Sequence, residues 1–131
     1  MSGVDIISAL LRAYAPLLEL VSEEKIKEGR LPAGIELPAL LVTETSQVER
    51  QPLKRGQTVR TLDRVSVTGS FKSVRDRKVV MELVKQCCAG KVGEIGGGHA
   101  VSILTAGRGP DLNGPGDIFQ KTQDFRVSYD A

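Results

Sequence analysis

The sequence predicts an α+β fold, a mainly antiparallel sheet of about four strands with two helices packed on one of its faces. Apolar residues recur every three or four positions in residues 4–21 and again in 73–88, which is typical of helices with one buried stripe. They alternate with polar residues in 60–72 and 118–129, as in strands with one buried face. The order α-β-β-α-β-β contains no run of alternating βαβ units, so an all-parallel sheet is not expected.

The N-terminal helix should be interrupted. Its apolar stripe consists of Ile7, Leu10, Leu11, Tyr14, Leu17, Leu18 and Val21. Pro16 lies inside this stripe and cannot donate a backbone hydrogen bond, so we expect either a kink or a break into a helix to about Ala13 and a shorter one from Pro16. Residues 25–27 are then predicted to form a short edge strand, before a segment rich in glycine and proline.

Residues 39–48 and 60–72 are predicted as the next two strands. In the second, Val65, Val67 and Phe71 share one parity, and the other parity is polar: Arg60, Arg64, Ser66, Thr68, Ser70 and Lys72. Ser73 is a helix N-cap with Asp76 three residues later. On this helix Cys87 faces inward as a small core residue, and Gly90 is the expected stop.

Residues 100–105 and 118–129 complete the predicted strands of a single domain, residues 1–131. Flexible loops are expected at about 50–58, 90–99 and 107–117. Loops longer than the usual four to six residues or so tend to be functional, or to become ordered on contact with a partner. This profile favours an assembly subunit over an enzyme.

Charge is unevenly distributed along the chain. The net charge is +2, yet residues 50–78 contain nine bases and only two acids, so this segment carries +7 and the remainder −5. Two faces of opposite sign favour head-to-tail docking or a position near a polyanion. No apolar run approaches the roughly 18–20 residues needed to cross a bilayer. The N-terminus also lacks the features of a signal peptide, so no membrane association or secretion is expected.

No motif points to catalysis. The single histidine, His99, has no evident partner in sequence, and the adjacent Cys87 and Cys88 do not make a metal site. The glycines of residues 93–98 match neither a dinucleotide-binding motif nor a P-loop, and they precede a strand. We therefore expect no catalytic residue, no metal, no cofactor and no enzymatic activity. A nucleic-acid-associated binding module remains an alternative because of the basic segment, although no known binding motif is present.

Several segments, in order, resemble one protein family. They are the interrupted apolar helix, the proline-bounded Lys27–Val42 entry into the first strand (KEGRLPAGIELPALLV), the Arg64–Phe71 strand that leads directly into a helix, and the closing Asp117–Tyr129 segment. The most specific match is Asp124, Phe125, Arg126 and Val127 in the closing strand. Together they resemble the tail-completion or tail-terminator (head-to-tail joining) proteins of long-tailed bacteriophages and prophages. One departure is Thr68-Gly69-Ser70, where the family usually carries an aromatic or apolar residue.

The resemblance implies a structural virion-assembly protein. It would form a ring, of six subunits, that caps the head-proximal end of the tail tube and joins tail to head. Its partners would be copies of itself, the tail tube protein and the head-completion (connector) protein, with DNA only passing through the lumen. Assembly would occur in the host bacterial cytoplasm, and the mature location would be the virion tail.

On this hypothesis, Arg50, Lys54 and Arg55 of the 50–58 loop contact a neighbouring subunit or the tube. The basic face of Arg60, Arg64 and Lys72 would then be directed toward the lumen or a partner. A head-completion or minor tail protein is the alternative within virion assembly.

Overall fold

The computed structural model describes residues 2–32, 34–50, 60–109, 111–114 and 118–130. The elements, in chain order, are α1 (Gly3–Arg12), α2 (Ala15–Leu18), a 3-10 turn (Glu23–Lys25), β1 (Ile26–Glu28), β2 (Ala39–Arg50), β3 (Arg60–Phe71), α3 (Val74–Cys88), β4 (Val92–Ile95), β5 (Gly98–Arg108), β6 (Leu112–Gly114) and β7 (Ile118–Asp130).

α1 and α3 each begin after a serine whose side chain caps the helix. Ser2 caps α1 by accepting from the backbone N–H of Asp5, whose carboxylate accepts in return from the Ser2 N–H. Pro16 lies in the first turn of α2, where its missing N–H leaves no helical bond unmade. The predicted split of the N-terminal helix is therefore confirmed. Ser73 caps α3 through the N–H of Asp76, also as predicted.

One sheet runs through the described residues, in the order β1-β2-β3-β7-β5-β4, with β6 paired to β7. Only the β1–β2 pair is parallel. The α+β class and the mainly antiparallel pairing are confirmed, but the expected numbers of strands and helices are too low. The described part contains seven strands and three α-helices. The elements beyond that count have three or four residues each. β1 and α2 are the predicted edge strand and the predicted shorter helix, whereas β4 and β6 were not predicted.

The segment 90–99 is a hairpin, so the prediction of a loop there is wrong. Ile95 pairs with Gly98, which leaves Gly96 and Gly97 as a two-residue turn. Both have positive φ, +57° and +84°. This is the combination that a tight hairpin of the matching twist requires, and glycine adopts it without a steric penalty. The glycine-rich stretch therefore contains the turn that joins β4 to β5.

The loop predicted at 107–117 is likewise wrong in part. β5 continues to Arg108, and β6 pairs with the start of β7, Asn113 lying opposite Phe119. The short β6 lacks the alternation that marks a strand in sequence. Residues 110 and 115–117 lie outside the described residues, as does most of the loop predicted at 50–58, because β2 ends at Arg50 and the description resumes at residue 60.

A single apolar core lies between the helices and one face of the sheet. β3 directs Val65, Val67 and Phe71 into it, as predicted, and all three are fully buried. Cys87 and Cys88 are also buried, at 2% and 0% exposure, and they are free thiols. The Cys87 thiol donates to the Leu10 carbonyl oxygen at 3.2 Å, which joins α3 to α1. The opposite face of the sheet carries no helix in the described part of the chain.

Candidate interaction surfaces

The helix-free face of the sheet, which we call the open face, carries a polar network across β3 and β7. Arg64 donates from Nε and Nη2 to Asp124 Oδ2 at 3.1 and 2.8 Å, and from Nη2 to the Ala106 carbonyl oxygen at 3.0 Å. Ser66 Oγ donates to the other oxygen of Asp124 at 2.7 Å. Further along the same pair of strands, the Thr68 and Thr122 hydroxyls lie 3.0 Å apart. The charge of Arg64 is therefore compensated within the subunit.

Next to this network the open face forms a shallow groove of about 380 Å³ across β3, β7 and β5. It is lined by Arg60, Leu62, Ser102, Leu104, Arg126 and Ser128. Leu104 is 61% exposed, a high value for a leucine on a sheet face. We call this surface the sheet groove.

The two arginines of the sheet groove differ in how they are paired. Arg60 Nη1 donates to the Ala100 carbonyl oxygen at 2.7 Å and lies 3.2 Å from Asp130 Oδ1. Arg126 is exposed, and no carboxylate among the described residues pairs with it. In the strand register it stands directly opposite Arg64, a like-charged pair that is unfavourable in an isolated sheet. The groove therefore combines apolar floor residues with one uncompensated positive charge.

The predicted basic face is only partly assembled by the fold. Arg60 and Arg64 lie near each other on β3, but Lys72 follows the opposite end of this 12-residue strand. At about 3.3 Å per residue it is roughly 40 Å from Arg60. Arg50 ends β2 opposite Arg60. Lys54 and Arg55 lie outside the described residues. The roles proposed for these residues stay predictions.

The closing-strand motif divides between the two faces of the sheet. Phe125 and Val127 are fully buried in the core, whereas Asp124 and Arg126 lie on the open face. Arg126, which was singled out only for its place in this motif, is thus the residue that completes the basic side of the sheet groove. Arg126 lies two residues after Asp124 in the same strand, so the sequence predicts that both side chains lie on the same face of the sheet.

A buried carboxylate was missed altogether by the sequence reasoning. Asp63 is fully buried on the core face, and its Oδ2 accepts from the Gly3 N–H at 2.6 Å and from the Tyr129 hydroxyl at 2.9 Å. Its Oδ1 has no hydrogen-bond partner among the described residues. A Cβ on Gly3 would lie 2.8 Å from the Asp63 Cβ, so glycine permits this approach. The contacts fasten the start of α1 to β3 and β7.

Asp63 also perturbs its titratable neighbours. Burial, together with the hydrogen bond to Asp63 and its negative charge, raises the pKa of the Tyr129 hydroxyl. Desolvation and then repulsion by Asp63 raise the pKa of Glu44 on the adjacent β2. Asp63 shares its parity with Val65, which was the available signal that this carboxylate is buried.

A second charged cluster joins α3 to β5, β6 and β7. Arg108 lies 3.0 Å from Glu82, and Lys121 lies 2.6 Å from Asp111. The buried Arg77 is 3.5 Å from Asp111 and stacks over Phe119 at 5.5 Å. The hydrogen bond from Arg108 lowers the pKa of Glu82, and that from Lys121 lowers the pKa of Asp111. These charges are satisfied within the subunit.

An acidic corner lies on the helix-bearing side, where α2 and the 3-10 turn lead into edge strand β1. We define it as Glu19, Leu20, Glu23 and Glu24, all of them exposed, with Leu20 at 46%. Two bases close to it are paired with other acids. Arg12 lies 3.3 Å from Glu28, and Lys25 lies 3.8 Å from Glu36.

Few side chains that could take part in catalysis or metal binding lie close together among the residues described. His99 Nδ1 lies 3.2 Å from Glu94, and both side chains are exposed. Within the described ranges, no group of three or more His, Cys, Asp or Glu side chains is placed to hold a metal ion. Nor does any helix in these ranges have the length and apolar character to span a membrane.

A comparison with known proteins finds chains of similar fold among solved structures. No family model matches the chain, and no curated protein matches it. The fold is similar to that of a chain in the virion of a native gene transfer agent particle, with a TM-score of 0.74 and 13% identity over 99% of this chain and 96% of that one. A second solved protein is similar at a TM-score of 0.57 and 14% identity, over 100% of this chain and 96% of that one. At these identities the likeness shows a shared fold.

Proposed function

We propose that this protein is a structural subunit of a phage-like virion. The observation that carries the proposal is the fold, which matches a chain of a gene transfer agent virion over nearly the full length of both. The ordered segments that resemble tail-completion proteins support the same assignment, and they are spread over nearly the whole chain. A role without catalysis belongs to this proposal, and the ion pairs that engage Arg64, Glu82 and Asp111 within the subunit are consistent with it.

Within the virion, we place the protein at the head-proximal end of the tail tube. It would form a ring of six copies that stops tube growth, contacts the tube protein on one side and the head-completion protein on the other, and lets DNA pass through its lumen. Partner contacts by Arg50, Lys54 and Arg55 belong to this proposal. In its support, the outer edge of β2 beyond Val42 is unpaired in the described structure, and a neighbour can extend a sheet at such an edge.

Deleting the gene from the phage, prophage or gene transfer agent that encodes it tests this function. We expect electron micrographs of the lysate to show separate heads and tails, with tail tubes of irregular length. Joined particles should return when the intact gene is supplied on a plasmid. Particles of normal length and junction without the gene would contradict the proposal. Full tails beside empty, unjoined heads would instead favour the head-completion role.

A further inference from the structure

We infer that the sheet groove of one copy receives the acidic corner of the next copy, in a head-to-tail contact that builds the ring. The inference deepens the proposed function and rests on its ring. It begins from Arg126, whose charge is exposed, uncompensated among the described residues and aligned against Arg64. The other arginine on the groove wall, Arg60, is already paired with Asp130, so Arg126 is the charge that favours an acidic occupant.

The occupant is argued from complementarity on the same chain. The acidic corner presents three carboxylates and one exposed leucine, with Arg12 and Lys27 beside Glu23 and Glu24, while the sheet groove presents the uncompensated Arg126 beside Leu62 and Leu104. Leu20 is 46% exposed and Leu104 is 61% exposed. The contact would bury apolar surface of both side chains that is now in contact with water. Charge and apolar character therefore match in both components.

The positions of the two surfaces determine the type of assembly. The acidic corner lies on the helix-bearing side next to β1, and the groove lies on the open face across β3, β7 and β5. Two different patches that bind each other make a heterologous interface, which closes into a ring when the rotation between copies allows it.

Charge reversal with rescue tests the contact. Arg126→Glu should weaken self-association about tenfold or more, and Glu23→Arg combined with Glu24→Arg should do the same, because each places like charges in the interface. An equimolar mixture of the two variants should recover association, since the groove of one retains a complementary corner on the other. Self-association is measured as molar mass by light scattering over a concentration series, alone and with isolated tail tubes.

Matched controls separate the contact from general effects of charge. Arg75→Glu on the exposed side of α3 changes the charge by the same amount as Arg126→Glu, and Glu94→Arg on β4 changes it by half as much as the double substitution, both away from the two surfaces. They should leave association within about threefold of the natural chain. Circular dichroism spectra of the variants should match that of the natural chain, because the substituted side chains are exposed.

Each outcome decides the inference. A ring in the natural chain that Arg126→Glu does not weaken overturns the groove contact and leaves the proposed function standing. Weakening by both reversals without recovery in the mixture also overturns it. A natural chain that remains a monomer at every concentration and with tail tubes overturns both the contact and the ring.

Discussion

Replacing Asp63 with alanine is expected to lower the free energy of unfolding by about 2–4 kcal/mol. The carboxylate accepts from the Gly3 N–H at 2.6 Å and the Tyr129 hydroxyl at 2.9 Å inside the core. A buried hydrogen bond to a charged group contributes about 1.5–3 kcal/mol, and both donors lose their partner. The loss stays below the sum of the two bonds because the substitution also removes a buried charge with an unpaired oxygen.

A double-mutant cycle isolates one of these bonds. Tyr129→Phe removes only the hydroxyl and should cost about 1–2 kcal/mol in the natural background, but much less once Asp63 is alanine. The coupling energy should therefore be about 1–2 kcal/mol. Tyr14→Phe is the matched control, because no hydrogen bond of the Tyr14 hydroxyl is present among the described residues, and it should change stability by less than about 0.5 kcal/mol.

The measurement is urea denaturation of the four proteins followed by circular dichroism at one fixed protein concentration, with equal slopes required for the comparison. Two results would refute the reasoning. One is an Asp63→Ala protein whose stability lies within about 0.5 kcal/mol of the natural chain. The other is a cost of Tyr129→Phe that is the same in both backgrounds, which would mean that the bond to Asp63 contributes nothing.

Three further substitutions give expected outcomes in the same denaturation assay. Gly69→Ala should cost about 1–3 kcal/mol, because a Cβ would collide with the Phe71 ring that folds over the glycine, and an unchanged midpoint would disprove that packing. Ala100→Gly should gain about 0.5–1 kcal/mol, since Ala100 has a φ of +49° that glycine adopts more easily, and a loss would show that the methyl group matters more. Glu44 has a raised pKa in the fold beside Asp63, so the contribution of this one group to stability should fall as pH rises from about 4.3 through that raised value. Glu44→Gln should therefore be the more stable protein at pH 7 and no different below about pH 4, and a difference that persists at low pH would contradict this cause.

The elements with strong periodicity were predictable from sequence. The broken N-terminal helix follows from one proline, and β3 and β7 follow from alternation that continues over 12 and 13 residues. The missed strands, β4 and β6, have four and three residues, too few for a period to show. Each forms because it pairs with a neighbouring strand, β4 with β5 across the turn at Gly96 and Gly97 and β6 with β7, and such pairing is a tertiary effect that the local pattern does not contain.

The surfaces were less predictable, for a related reason. Sequence parity places Arg60, Arg64 and Arg126 on one side of their strands, but it does not say which carboxylate each one meets. Pairing of Arg64 with Asp124 depends on the β3–β7 register, which only the fold defines. Asp63 entered the sequence reasoning only as one of the two acids of residues 50–78, although its parity places it in the core.

The most direct test of the proposed role is the position of the protein in the intact particle. Particles that carry an epitope-tagged copy of this chain should be labelled with antibody-bound gold and imaged by negative-stain electron microscopy. A phage-like tail-completion subunit predicts label confined to the junction between head and tail. Label along the length of the tube, at the far end of the tail, or absent from the particles would contradict it.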